Sequence, residues 1–143
     1  MSANTFLAAS GWFAALNTRD QHHARAAAAY DKLLATRGIR LITTNLVAAE
    51  VHALIVRSGG AAAGVRFLEG LYDDPAHEVV WATRDLERAA ADRWLRPFRD
   101  VPFSLTDAVS FEVMRLAGLR RVFTFDRHFE VAGFERVPRA EAP

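Results

Sequence analysis

With 143 residues and no cysteine, the chain is sized for one domain and has neither a disulfide framework nor thiolate metal ligands. The 18 basic and 17 acidic side chains leave a net charge of +1, so any nucleic-acid partner would be held by a local patch and not by bulk charge. Charged residues or glycine break every apolar stretch well short of the about 18 residues of a membrane span, and no leader pattern opens the chain. A single cytoplasmic domain over residues 1–143, without a membrane partner, is the expectation.

Thr5 to Ala8 forms a short strand candidate, and Ser10 is placed to cap a helix with Trp12, Phe13 and Leu16 on its apolar face. Asp20 is placed to cap a second helix running to about Thr36 and closed by Gly38. Arg40 to Thr43 reads as the next strand. Thr44 or Asn45 then caps a helix that ends near Gly59-Gly60. A helix from Ala61 to Tyr72 is stopped by Asp73-Asp74-Pro75, and Glu78 to Ala82 forms a third strand. Thr83 caps a helix with Asp85 and Glu87 in its first turn, where they complement the dipole, and Pro97 and Pro102 close that segment. Ser104-Leu-Thr-Asp107 opens a helix that stops at Gly118, Arg121 to Phe125 is a fourth strand, and Phe134 to Val137 offers a short last one. Strands alternating with helices predict an α/β fold in three layers, α/β/α, around a mainly parallel sheet of four or five strands.

Ligands in such sheets bind beyond the carboxyl ends of the strands. The residues there are Ala8-Ala9-Ser10 after the first strand, Thr44-Asn45 with Glu50 one turn later after the second, and Asp126 after the fourth. Asp107, in a first helical turn, can face the same crevice. Each acid alone would pass as a cap, a dipole partner or a solvated helix position. Three converging carboxylates, however, repel one another unless a cation neutralises them. Carboxylate oxygens suit Mg2+ or Mn2+, while the absence of cysteine and of an HxxxH pair argues against zinc. Such an ion serves phosphodiester hydrolysis.

Phe6-Leu-Ala-Ala-Ser10, Thr43-Thr-Asn-Leu-Val-Ala-Ala-Glu50, Ser104-Leu-Thr-Asp-Ala108 and Phe123-Thr-Phe-Asp-Arg-His-Phe129 resemble, in order, the four motifs of PIN-domain proteins of the VapC toxin kind. The resemblance implies a Mg2+- or Mn2+-dependent endoribonuclease, the toxin of a type II toxin-antitoxin pair. It also implies a homodimer silenced by a VapB-like antitoxin. Carried over by position, Glu50, Asp107 and Asp126 match acidic catalytic and metal-site residues, Ser10 and Thr106 match supporting hydroxyls, and Asn45 is a further candidate for the same shell. Position 8 departs from the pattern, which there requires an acidic metal ligand. Loss of such a ligand costs at least the about 10- to 100-fold that loss of its outer support does, so the chain as written is expected to be nearly inactive. Replacing one metal-binding Asp by Ala is the usual way to make a toxin tolerable to its producing cell, so an engineered change is the preferred origin of Ala8 and a natural pseudo-enzyme the other.

RNA binding needs cations near the crevice. Arg19, Arg57, Arg84, Arg127 and His128 lie near helix ends, and Arg127 and His128 are preferred because they follow Asp126 directly. His22 and His23 are expected on the outer face of their helix, and His52 and His77 give no signal. Trp12, Phe13, Trp81 and Trp94 read mainly as core, with some available to an antitoxin groove. The competing reading is a non-catalytic PIN-like module that binds RNA or an antitoxin. A receiver-like signalling domain would need a lysine near the last strand, and Lys32, in an early helix, is the chain's one lysine.

Overall fold

In the computed structural model, which describes residues 3–139, all strands run the same way in one sheet. β1 (Thr5–Leu7), β2 (Leu41–Thr44), β3 (His77–Val80), β4 (Arg121–Phe123) and β5 (Glu135–Val137) lie in the order β3-β2-β1-β4-β5. The pairing is parallel throughout, so the expected sheet of four or five mainly parallel strands is five strands without an antiparallel pair.

Parallel neighbours require crossovers, and right-handedness decides which face each one covers. From β1 the chain steps outward through α1 (Ala9–Leu16) and α2 (His23–Ala35) to β2, then through α3 (Asn45–Gly59) and α4 (Ala61–Asp73) to β3. It then jumps back over β2 and β1 through α5 (Arg84–Ala90), a π-helical turn (Ala91–Leu95) and α6 (Leu105–Ala117) to β4, and reaches β5 after the short α7 (His128–Val131). The opposite sense of travel places α1 to α4 on one face and α5 to α7 on the other. The packing agrees: α1 touches α2 and α3, and α3 touches α4, whereas α6 touches α5, the π turn and α7. These are the three layers predicted.

Both faces being covered, β1 and β2 are buried at every position, which explains runs such as TFL and LITT without polar alternation. Their hydroxyls are satisfied locally: Thr5 donates to the Ala3 carbonyl (2.8 Å) and Thr43 to the Leu7 carbonyl (2.8 Å), the last of β1. On the α5–α7 face, Phe111 is ringed by Trp94, Phe103 and Phe129 at 5.0–5.2 Å between centroids, edge to face. Glu112, next to it and buried, accepts from the Trp94 indole (3.2 Å) and from Arg115 through two bonds (3.0 and 2.9 Å), with Arg93 at 3.2 Å. The Arg115 guanidinium first, then the Trp94 indole and Arg93, holds this carboxyl below the ordinary range against the opposing effect of burial.

The element ends show where side-chain chemistry departs from the expected roles. Thr44, Thr83 and Ser104 cap α3, α5 and α6 as predicted, and Gly118 takes the left-handed position after α6. Ser10, however, does not cap α1: Ala8 is the N-cap and offers no side-chain acceptor. Asp20 does not cap α2 but accepts from the His22 N–H (2.8 Å) in the preceding turn. The fourth strand ends at Phe123, short of Phe125, because the Phe125 N–H is taken by the Ser10 hydroxyl (2.9 Å). His22 and His23 are not outward decoration. His22 stacks on Phe125 and His23 Nδ1 bonds the Ala14 carbonyl (2.8 Å). Trp12 is core, whereas Trp81 is 63% exposed.

Candidate active site

β1 and β4 are adjacent, yet the connections leaving them travel in opposite directions, which opens a crevice at their carboxyl ends. A cleft of about 90 Å3 lies there, and Ala8, Glu50, Asp107 and Asp126 all line it, together with Ser10 and Thr106. Residues far apart in sequence thus meet as the strand-end argument predicted.

Three elements fix these side chains. Asp107 is the third residue of α6, and its Oδ2 accepts from the Ser104 N–H (3.0 Å) while the Ser104 hydroxyl accepts from the Asp107 N–H (3.0 Å), a reciprocal capping box. The same Oδ2 meets His128 Nδ1 at 3.1 Å. Oδ2 is thus held from both α6's own N-cap and His128. Asp126 accepts the His128 N–H on Oδ1 (2.9 Å), which closes a tight turn into α7 and leaves its carboxyl 3.8 Å from His128 Nδ1. Asp107, Asp126 and His128 each offer a ligand atom within 4.8 Å of one another.

Glu50 approaches from α3. Partial desolvation of its carboxyl, then the charges of Asp107 and Asp126, raises its pKa above the usual carboxylate value, although the residue as a whole is exposed. No lysine or arginine is among the residues lining the cleft. Oxygen donors with uncompensated negative charge, joined by one imidazole, suit a hard or borderline divalent cation of the Mg2+ or Mn2+ kind.

A pair of hydroxyls underlies the floor. Ser10 Oγ and Thr124 Oγ1 share a hydrogen bond of 3.0 Å, Ser10 Oγ accepts from the Phe125 N–H, and Thr124 Oγ1 accepts from the Asp126 N–H (3.0 Å). One of the two hydroxyl protons makes the shared bond, which leaves the other for the cleft. The two hydroxyls therefore hold the Asp126 loop against α1. Gly11 makes this approach possible, since a Cβ there would lie 2.6 Å from the Phe123 carbonyl oxygen.

Ala8 sits at the head of α1 with its N–H on the Phe123 carbonyl (3.2 Å), buried in the lining of the same cleft as the acids. Asn45 is not part of this cleft: its Oδ1 accepts from the Ala82 N–H (2.7 Å) and ties α3 to the end of β3. His128, expected among the RNA contacts, is engaged by Asp107, while Arg127 is exposed beside it. Arg19, Arg57 and Arg84 are exposed and do not line the cleft, and Arg19 is held by the Ser58 carbonyl (2.8 Å). Thr124, Ser110 and Phe129 line the cleft without having been foreseen. Thr124 was legible as the residue two before Asp126, a spacing that lets a hydroxyl take the Asp126 N–H.

The PIN-domain family model matches residues 6–135. The chain belongs to the PIN-domain family. It is 33% identical over 137 residues to the 23S rRNA-specific endonuclease VapC20 of Mycobacterium tuberculosis, in both strain CDC 1551 / Oshkosh and strain ATCC 25618 / H37Rv. The match covers 92% of this chain and 96% of the relative. The crystal structure of M. tuberculosis VapC20, a sarcin-ricin-loop-cleaving toxin, superposes with a TM-score of 0.79 at 32% identity, covering 92% of this chain and 96% of that one. Within the PIN family, the chain is thus of the VapC kind, as its resemblance implied.

Proposed function

We propose that the chain is a VapC-type ribonuclease toxin whose divalent-metal site is formed by Glu50, Asp107 and Asp126 and is incomplete at Ala8. The observation that carries this reading is the convergence of these four positions on one cleft at the β1/β4 switch point, without a lysine or arginine in its lining. The bound ion, Mg2+ or Mn2+, would activate water and offset charge on the phosphoryl oxygens. The chain's own residues have separate tasks. Asp107 and Asp126 present oxygens, His128 and the Ser104 N–H hold Asp107 in place, and Ser10 and Thr124 fix the Asp126 loop. Glu50, whose carboxyl is held above its usual pKa, would serve in the same site as a metal ligand or as a proton acceptor. Thr106 lines the cleft beside Asp107 as a supporting hydroxyl.

RNA is the substrate assigned, and ribosomal RNA, the target of VapC20, is the first to try. The same reading includes a VapB-like antitoxin, a homodimer and a cytoplasmic setting. An apolar groove of about 470 Å3 between the α1–α2 and α3–α4 pairs, with Trp12, Leu16, Leu34 and Phe67 in its walls, supports the antitoxin. No helix among the described residues is long and apolar enough to cross a membrane. Because the cleft around Ala8 is otherwise intact, we read Ala8 as an engineered replacement of an acidic ligand. Ala8 is also what favours the second reading, a non-catalytic PIN module.

Calorimetric titration with Mn2+ tests the site. The chain should bind weakly, and Ala8→Asp should bind about 10- to 100-fold more tightly. Equal affinities, or undiminished binding in Asp126→Asn, would remove the assignment.

A further inference from the structure

The cleft contains acids and hydroxyls but no lysine or arginine, so whatever holds a polyanion must lie on its rim. Topology identifies one element there. β2 starts at the amino edge of the sheet, and α2, which leads into it, therefore descends from the carboxyl edge and brings its first residues to the level of the cleft. His22, just before α2, lies on the Phe125 ring with centroids 4.4 Å apart and planes 12° from parallel. Arg25, one turn on, places its guanidinium carbon 5.7 Å from the same centroid. Phe125 is the residue before Asp126.

The backbone around this stack is fixed. The Phe125 N–H is bound by Ser10 Oγ (2.9 Å) and its carbonyl by Arg136 (3.0 Å), while the His22 N–H is bound by Asp20 (2.8 Å). A parallel pair of rings with one face of the imidazole against Phe125 puts its opposite face in position for a third ring, and His22 is partly exposed. Single-stranded RNA is bound in this way, by bases stacked on aromatic, imidazole and guanidinium planes next to cations that meet the phosphates.

We propose that His22, supported by Phe125 and flanked by Arg25, is a substrate-binding platform on which an unpaired base of the RNA stacks beside the scissile phosphate. This rests on the ribonuclease reading for the identity of the polymer. It adds a positioning element outside the four motifs and turns a histidine of no apparent role into a determinant of affinity.

The test is made on the full chain as it stands, with single-stranded RNA oligomers containing 2-aminopurine, whose fluorescence falls on stacking. Binding to the chain should quench the probe. His22→Ala should weaken binding by about 5- to 150-fold and abolish the quenching. His22→Phe should restore both, and His22→Leu, which covers Phe125 equally well, should not. Circular dichroism confirms that each variant is folded. Binding unchanged in His22→Ala, rescue by Leu as complete as by Phe, or absence of RNA binding by the chain would each overturn the platform. The cleavage reading is judged separately in the Ala8→Asp background. If Ala8→Asp cleaves RNA and adding His22→Ala leaves KM unchanged, the platform fails while the ribonuclease stands. If the His22 series behaves as expected but Ala8→Asp cuts nothing, the platform stands and the ribonuclease fails.

Discussion

Gly11→Ala should destabilise the protein although Gly11 lies within α1, where alanine is normally the better residue. An added Cβ would meet the Phe123 carbonyl oxygen at 2.6 Å, its carbon at 2.7 Å and the Thr124 nitrogen at 2.9 Å, all backbone atoms of β4 and its exit. None of these is the end of a flexible side chain, so α1 must withdraw by most of an ångström. Overpacking of this kind costs about 1–3 kcal/mol, against a gain of roughly 0.5–1 kcal/mol from removing a helical glycine. The movement also stretches the Ala8 N–H bond to Phe123 and the Ser10 bonds to Thr124 and Phe125, each worth about 1 kcal/mol. A net loss of about 1–3 kcal/mol is expected, or a melting temperature lower by roughly 4 °C per kcal/mol. Gly70→Ala is the control: it lies in α4 with nothing within 4 Å of a new Cβ and should stabilise by about 0.5–1 kcal/mol. Urea denaturation of both variants decides the matter. If Gly11→Ala is stabilised as Gly70→Ala is, the close approach of α1 to β4 is wrong.

Glu50→Gln should change the pH dependence of stability. The folded-state pKa of Glu50 lies above its ordinary 4.5, so ionisation costs the fold stability as pH rises from about that value through the folded pKa. Without divalent cations the variant should be more stable than the parent at pH 7 and equal to it at pH 4, and added Mn2+ should narrow the difference. A parent of equal stability at pH 7 would contradict the crowding of charge. Glu112 has the opposite sign: its lowered pKa contributes stability above its ordinary 4.5 that is lost as pH falls through the folded value. Glu112→Ala should cost about 1.5–3 kcal/mol at neutral pH, less than the about 3–5 kcal/mol of a fully buried pair because Arg115 and Arg93 can rehydrate. Denaturation at several pH values should show that cost shrinking in acid.

The parallel sheet was legible because fully buried strands lack polar alternation, and TFL, LITT and RVF are punctuated by capping residues and glycines. The acids were legible because each follows a strand or opens a helix, and such positions share one edge of the sheet. Roles that depend on a third element were not. Ser10 was read as a cap since its spacing permits it, but Phe125 and Thr124, more than a hundred residues on, claim the hydroxyl. Asn45 was placed in the cleft by its position after β2, yet the end of β3 supplies a backbone donor that turns it aside. His22 was assigned outward because local periodicity cannot show that Phe125 leaves the strand to meet it.

RNA cleavage by Ala8→Asp tests the account most directly. Ala8 is the N-cap of α1, a position where Asp is also preferred by about 1 kcal/mol, so the variant should fold. With Mg2+ or Mn2+ it should cleave RNA that the parent leaves intact, and chelation or an added Asp126→Asn should abolish the cleavage. A folded Ala8→Asp variant that binds metal and cuts no RNA would contradict the proposal that this cleft is a ribonuclease site missing one ligand.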